Sequence, residues 1–462
     1  MRQKQDMIFM CESKQQTSRG ILMLCGKPGM KAALFLNLIS FFGGYAYGQN
    51  LLTIDEAIRI GLSKNYQVLI DSNVMRAAQI NNSPGSAGFL PRLDLSGEAT
   101  YSGQNINQKF SNGTEIDKKN VSANAQSAGA YLTWTLFDGL NMFATAKFLR
   151  LQEEQSGTVS KENVQRLMAD IINSYYAVVQ RKQYLRLLDS SIKYYDVALT
   201  TAKNLQLNGK GTRQQVLQAQ IDRNAAQADY LLQQNNLLVE KINLNQLLQR
   251  NAETAFDVLD TIPLIADLTI DTTELALRNS NPALMFANRE VDVQTSLLQQ
   301  SRSLYYPHLD FDAGYSFNNS SSSGSFFLKN QNVGWNAGLT LSWNLFNGNQ
   351  TREQVQITRI NLENAHLNYR QLLSQTRASI SSAYRDYLTA RQEMELLREN
   401  LSLSYENLQL ATGQYQLFAI TQIDLQRAHK SFDDSALLYL LAVYRVKQSE
   451  TNLLLLSGRL AQ

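Results

Sequence analysis

Three histidines, one pair of close aspartates and one glycine-lysine-glycine run are the places in this 462-residue chain where chemistry could be attempted. His308, His366 and His429 stand far apart, and none has a second histidine one helical turn away or a cysteine nearby. A metal centre needs several converging ligands, so no metal site is expected. Asp310 and Asp312 share one strand face and resemble an acid–base pair, but with their polar neighbours they read as the wall of a wet lumen. Gly209-Lys210-Gly211-Thr212 has the residue types of a phosphate loop without the order G-x-x-x-x-G-K-[ST], and reads as a helix reversal. Tyrosines such as Tyr175, Tyr176, Tyr194 and Tyr195 read as packing residues with wet hydroxyls. No nucleophile can be paired with a base, so neither an enzyme nor a cofactor is expected.

What must position these residues is a chain that states itself twice. Leu52-Thr53-Ile54-Asp55 returns as Leu268-Thr269-Ile270-Asp271, and Leu90-Pro91-Arg92-Leu93-Asp94 returns as Tyr306-Pro307-His308-Leu309-Asp310, both at an offset of 216. Farther on, Thr133-Trp134-Thr135-Leu136-Phe137-Asp138-Gly139 returns as Ser342-Trp343-Asn344-Leu345-Phe346-Asn347-Gly348, now at an offset of 209. The second copy has lost seven residues between Pro307 and Ser342. So long a period describes a duplicated half-molecule rather than a solenoid.

Composition narrows the class. Charged residues are 18% of the chain, against roughly 25% in an average soluble protein. Net charge is +3 without any block of like charge, so nucleic acid is not an expected partner. Residues 1–48 read as a leader. Met30-Lys31 precede an apolar run from Ala32 to Phe42, and Ala46-Tyr47-Gly48 form a small-x-small site with cleavage expected after Gly48. Cys25 follows Leu24 where an acylation site would have a small residue, so a lipid anchor is disfavoured. Both cysteines, Cys11 and Cys25, lie in the leader, which leaves the mature chain without disulfides.

The expected organisation is a first repeat over 49–250, a linker over 251–267, a second repeat over 268–458 and a tail over 459–462. Each repeat opens with short helices. Thr53 and Glu56 form a capping box, a helix runs to about Ser63, and helical spacing restarts at Asn65 and continues to about Ala87. The second copy matches this from Asp271 to Arg278, and restarts at Asn281-Pro282. Four segments then alternate apolar and polar residues with period two: strands over 92–104, 125–137, 308–318 and 333–346, joined by loops over 103–124 and 319–332. Their length near ten residues and the three tryptophans inside them favour membrane strands over a soluble sandwich. Each hairpin feeds a helix of roughly 65 residues, about 100 Å long, over 141–206 and 350–411. Val164, Met168, Ile171, Tyr175 and Val178 give it heptad spacing. Shorter helices return over 212–248 and 421–457, and 65–87 and 212–248 together approach the length of one long helix.

The whole arrangement, with Pro91 and Pro307 at each helix-to-strand entry and Leu-Phe-Asp/Asn-Gly at each strand-to-helix exit, resembles the outer-membrane efflux protein family of TolC-like channels. The resemblance covers about 50–458. It implies a mixed α and β membrane fold in which a homotrimer builds one twelve-stranded barrel on a coiled-coil periplasmic tunnel. The implied function is a passive outer-membrane exit channel of a tripartite efflux or type I secretion system. Its implied partners are outer-membrane lipid, a periplasmic adaptor protein and an inner-membrane transporter. A non-conducting trimeric coiled-coil envelope protein is the alternative. The resemblance also implies a periplasmic gate, onto which Tyr415 and Asp424 map. Arg427 stands at the place of a second aspartate, Ile420 at that of a gate arginine, and Gln214 and Gln215 at that of a Thr-Asp pair, so a salt-linked latch of the family type is not expected. Adaptor docking is expected at the hairpin tips around Gly209, Gly211, Phe418 and Ile420.

Overall fold

The computed structural model describes residues 51–266, 268–269, 274–324, 327–417 and 419–460; the expected leader over 1–48, the expected helix start at Asp271 and Phe418 lie outside the described residues. In chain order the elements are β1 (Leu51–Leu52), α1 (Ile54–Lys64), α2 (Tyr66–Asn81), β2 (Arg92–Lys109), β3 (Glu115–Phe137), α3 (Asn141–Leu207), α4 (Arg213–Leu247), β4 (Asp257–Val258), α5 (Glu274–Ser280), α6 (Pro282–Ser303), β5 (His308–Ser322), β6 (Lys329–Ser342), α7 (Gln350–Gln416) and α8 (Gln422–Ser457).

The two long helices are 67 residues each. At 1.5 Å per residue each is about 100 Å long. Their starts are fixed by the strand-to-helix exits. Gly139 and Leu140 take left-handed backbone in succession, as do Gly348 and Asn349. Asp138 then caps α3, accepting from Met142 N–H at 2.9 Å, and Asn347 accepts from Thr351 N–H at 3.4 Å. A Cβ on Gly139 would collide with the Ser303 carbonyl oxygen, so glycine is required there by space as well as by conformation.

Helices α2, α4, α6 and α8 pack on α3, while α6 and α8 also pack on α7. Each half of the molecule is therefore one helix layer thick and four helices wide, ordered α2-α3-α6-α7 beside the strands and α4-α3-α8-α7 beyond. Asn65 Nδ2 donates to the Leu247 carbonyl at 3.5 Å, placing the start of α2 against the end of α4. The expected end-to-end stacking of the short helices is seen at that bond.

The junction of the two halves holds the cores. Leu52, Ala57, Ile171, Tyr175, Val178, Leu244, Phe256 and Val258 form one; Leu277, Leu284, Ile380, Ala383, Tyr387, Val446 and Leu453 form its duplicate. The linker threads between them. Its β4 pairs in parallel with β1, and Tyr175 OH donates to the Leu52 carbonyl at 2.9 Å. Lys182 holds Asp257 at 2.7 Å and Asp260 at 2.9 Å, while Glu450, at 1% exposure, accepts from Ile265 N–H at 2.8 Å and pairs with Lys447 at 3.0 Å.

The boundaries differ from the sequence expectation in several places. Helix α2 stops at Asn81 rather than Ala87, giving way to turns over 82–88. Helix α7 continues past Ala411 to Gln416, so the reversal is tighter than expected. The loops over 103–124 and 319–332 are mostly strand: β2 and β3 stay paired out to Lys109 and Glu115, and β5 to β6 out to Ser321 and Lys329. Their Asn, Ser, Gln and Gly residues carry no apolar alternation, yet backbone hydrogen bonds extend the ladder regardless of side chain.

Candidate functional site: the strand band and the helical tips

The four long strands form one antiparallel sheet in the order β2-β3-β5-β6. Its register repeats with the sequence, since Arg92 pairs with Thr133 and His308 with Ser342, which are equivalent positions in the two copies. Rows of partners across the sheet share a face. One face carries Leu95-Ala130-Tyr315-Trp335, Leu93-Leu132-Ala313-Ala337 and Trp134-Phe311-Leu339. Most of these large apolar side chains are exposed, Leu95 at 87% and Trp335 at 79%, while Leu132 and Phe311 are half-buried. The other face carries Asp94-Tyr131-Gly314-Asn336, Thr133-Asp312-Gly338 and Thr135-Asp310-Thr340. On it Arg92 pairs with Asp94 at 2.7 Å, His308 with Asp310 at 3.1 Å, and Thr135 Oγ1 donates to Asp310 at 2.8 Å. An apolar face opposite a hydrogen-bonded polar one is the division that lipid on one side and water on the other demands. Trp343 falls one residue beyond β6 rather than within it.

A bulge interrupts the first hairpin. Gln104 pairs with Val121 but Ile106 with Lys118, so β3 carries one surplus residue there. Asn120 takes left-handed backbone, and its N–H donates to Asn105 Oδ1 at 2.8 Å. The surplus absorbs the odd part of the seven-residue difference between the copies.

At the far end of the long helices the two tips use one capping device. Thr212 Oγ1 accepts from Gln215 N–H at 3.3 Å while Gln215 Oε1 accepts from Thr212 N–H at 2.8 Å. Thr421 and Asp424 make the same reciprocal pair at 3.2 and 3.1 Å. Gln215 and Asp424 thus occupy equivalent positions, and both face solvent with their side chains engaged in capping. Arg427 Nη1 lies 4.0 Å from Asp424. Hydrogen bonds from Thr421, helped by Arg427, hold the Asp424 carboxyl below its ordinary value.

The remaining tip residues separate. Tyr415 and Ile420 pack together with Leu408, Ala411, Leu425, Ala428 and Tyr194, and burial raises the Tyr415 hydroxyl. Gln214 is exposed. Gly209 has φ of +69° in open space, whereas Gly211 is constrained by space, since its Cβ would lie 2.9 Å from Leu205 Cβ. Of the two, Gly209 alone takes positive φ. The structure brings Asp424 and Arg427 to one surface and Tyr415 and Ile420 to one cluster, on different sides of the hairpin.

His429 and Asp433, with Ser191 and Tyr194 opposite, escaped the sequence reading because the contacts join α8 to a helix more than 230 positions earlier; histidine and aspartate spaced i, i+4 were the only available signal. Among the described residues no cluster of metal-ligating groups occurs, and no helix is long and apolar enough to cross a membrane.

A sequence profile described as outer membrane efflux protein matches residues 75–249 and 275–459. A protein of Dickeya chrysanthemi, the proteases secretion protein PrtF, is 23% identical over 296 residues, a stretch spanning 61% of each chain. Among solved structures, CusC superposes with a TM-score of 0.73 at 16% identity, covering 91% of this chain and 95% of its own. The CmeC outer membrane channel of Campylobacter jejuni superposes with a TM-score of 0.72 at 15% identity, covering 88% and 85%. At such identities the superpositions establish the fold.

Proposed function

The chain belongs to the outer membrane efflux protein family, whose place is the outer membrane, and from that premise we propose that it is the passive exit channel of a tripartite efflux or type I secretion assembly. The observation that carries this reading is the four-stranded sheet with one continuous apolar face and with β2 and β6 unpaired at its two edges. Open edges are not tolerated in lipid, because unpaired N–H and C=O groups find no water there. Closure by further copies satisfies them, and three copies give a twelve-stranded barrel.

The helix layer supports the same assembly. Its margins leave apolar residues uncovered: Leu217, Ile221, Leu231, Leu238 and Ile242 on α4, and Ile357, Ile360, Leu367, Leu403 and Leu410 on α7. Their spacings are built from steps of three and four, which suits coiled-coil packing between neighbouring copies. The hairpin tips, about 100 Å from the strands, are where a periplasmic adaptor would engage and couple the tunnel to an inner-membrane transporter.

The deciding experiment is mass determination of the detergent-purified protein followed by planar-bilayer recording. A trimer with stable single-channel conductance is expected. A trimer that inserts without conducting would make it a coiled-coil envelope protein, and a protein that remains monomeric would overturn the assembly.

A further inference from the structure

His429 is a buried titratable group that neither the tip caps nor the strand band uses. It is 6% exposed on α8, one turn beyond Leu425. Its ring stacks on Tyr194 of α3, with centroids 3.7 Å apart and planes 16° from parallel, and Tyr195 stands 5.4 Å away. His429 Nδ1 is 3.1 Å from Asp433 Oδ2 but out of line for a hydrogen bond, so the nitrogen is buried without a partner. Asp433 accepts from Ser191 Oγ of α3 at 2.7 Å. The network therefore crosses the α3–α8 seam twice. Tyr194 belongs to it and also to the apolar cluster of Tyr415 and Ile420 at the second tip.

The two charge states of the imidazole differ in what they gain here. A neutral ring brings no charge to Asp433. A protonated ring is attracted to Asp433 without needing linear geometry, and its positive face gains from the Tyr194 ring beneath it. Asp433 and Asp434 on α8 and Asp222 on α4 all act on the adjacent tyrosines. Burial pushes the Tyr195 hydroxyl up to about 12 and raises those of Tyr194 and Tyr415, so the phenols stay neutral. Lys430, next to His429 in sequence, is exposed. An imidazole is the side chain that ordinarily changes charge between pH 5 and 8.

Resting on the conduit reading above, we propose that His429, acting with Asp433 and Ser191, is a pH-dependent latch that ties the α7–α8 hairpin to α3, tightening on protonation so that the tip opens less readily in acid. His429 is a positioning residue in this scheme and touches no cargo.

The test records the purified wild-type protein in planar bilayers between pH 8 and pH 5.5, beside His429→Gln and Asp433→Asn. Wild-type conductance should fall several-fold on acidification and recover on return, and both variants should flatten that dependence to less than twofold. A flat wild-type profile, or variants that keep the wild-type slope, would overturn the latch. Hydrogen exchange of the 422–440 segment, corrected for intrinsic rates, decides independently of conduction. Protection should rise at pH 5.5 in the wild type and not in His429→Gln; equal protection at both pH values overturns the latch. A protein that never conducts removes the conduit reading, and exchange still settles the seam.

Discussion

Trp134 donates its indole N–H to the backbone carbonyl of Phe89 at 3.0 Å. Its equivalent Trp343 does the same to Tyr305 at 3.1 Å. Each acceptor stands two residues ahead of the proline that turns a helix into a strand, so the indoles pin both helix-to-strand elbows to the sheet. Trp134→Phe keeps the ring and deletes the bond, and should lower stability by about 1 kcal/mol. Trp134→Phe with Trp343→Phe should cost about twice that, because the sites are separate. Thermal dissociation in detergent would measure both, and a double variant no weaker than the singles would show that the elbows are coupled.

The two faces of the sheet should respond oppositely to charge. Leu339 shares a row with Trp134 and Phe311, whereas Thr340 lies on the row of Thr135 and Asp310. Leu339→Arg should cost roughly 2–4 kcal/mol if it sits at mid-bilayer depth, and Thr340→Arg should be nearly neutral. Folding into liposomes provides the comparison, and equal penalties would show that the face assignment is wrong.

The duplicated exits make an unequal pair. Gly139 and Gly348 both have φ near +70°, but a Cβ meets the Ser303 carbonyl and Tyr306 at Gly139 and nothing within 4 Å at Gly348. Gly348→Ala should cost about 1–2 kcal/mol for left-handed backbone alone. Gly139→Ala should cost clearly more, through displacement of the end of α6. Parallel melting curves would decide, and equal losses would mean that the elbow yields.

The linker clamp has a defined pH window. Burial opposes charge at Asp257, but hydrogen bonds from Lys182 and the Val258 N–H hold its carboxyl below the ordinary range; Lys182 and Arg186 do the same for the exposed Asp260. Lys182 pays for burial and is nonetheless raised by its two carboxylates. The carboxylates' contribution is complete above about pH 4 and is lost as pH falls through their depressed values; that of Lys182 is complete below about pH 10 and is lost as pH rises through its elevated one. Lys182→Met should destabilise the junction by on the order of 1–2 kcal/mol. Limited proteolysis within 251–266 should accelerate in that variant at pH 7, and an unchanged cleavage rate would show that packing alone retains the linker.

At the second tip, Asp424 serves a cap, so Asp424→Asn is the informative variant: it keeps a capping oxygen and removes the charge. If three such carboxylates ring the pore, the change should reduce cation selectivity, and Arg427→Ala should increase it. Reversal potentials under a salt gradient would read both, and two unshifted values would place these residues away from the narrow passage.

How far these features could be foreseen depended on what positions them. The band was legible because Leu93, Leu95, Phe311, Leu339 and Trp335 alternate with polar partners, a pattern that lipid on one face and water on the other imposes on sequence. The outer rungs from Gln104 to Lys109 were not, because backbone pairing holds them whatever side chains they carry. Among the tip residues, Thr421 and Asp424 bear a local capping signature, yet the resemblance drew attention to Asp424 as a gate residue and its cap appeared only in three dimensions. His429 had only its i, i+4 spacing to Asp433 as a signal, since Ser191 and Tyr194 reach it across the fold.

The surplus residue at Asn120 sits just beyond the rows that all four strands share. A slip of one residue within those rows would swap inside for outside along a whole strand. With the hairpin's slip lying outside those rows, Leu95, Ala130, Tyr315 and Trp335 keep their side however long the 110–114 turn becomes. The distal end of the first hairpin is in this sense an exchangeable faceplate: what it displays can change in length and chemistry under selection, or accept an inserted epitope, while the frame set in lipid stays where it is.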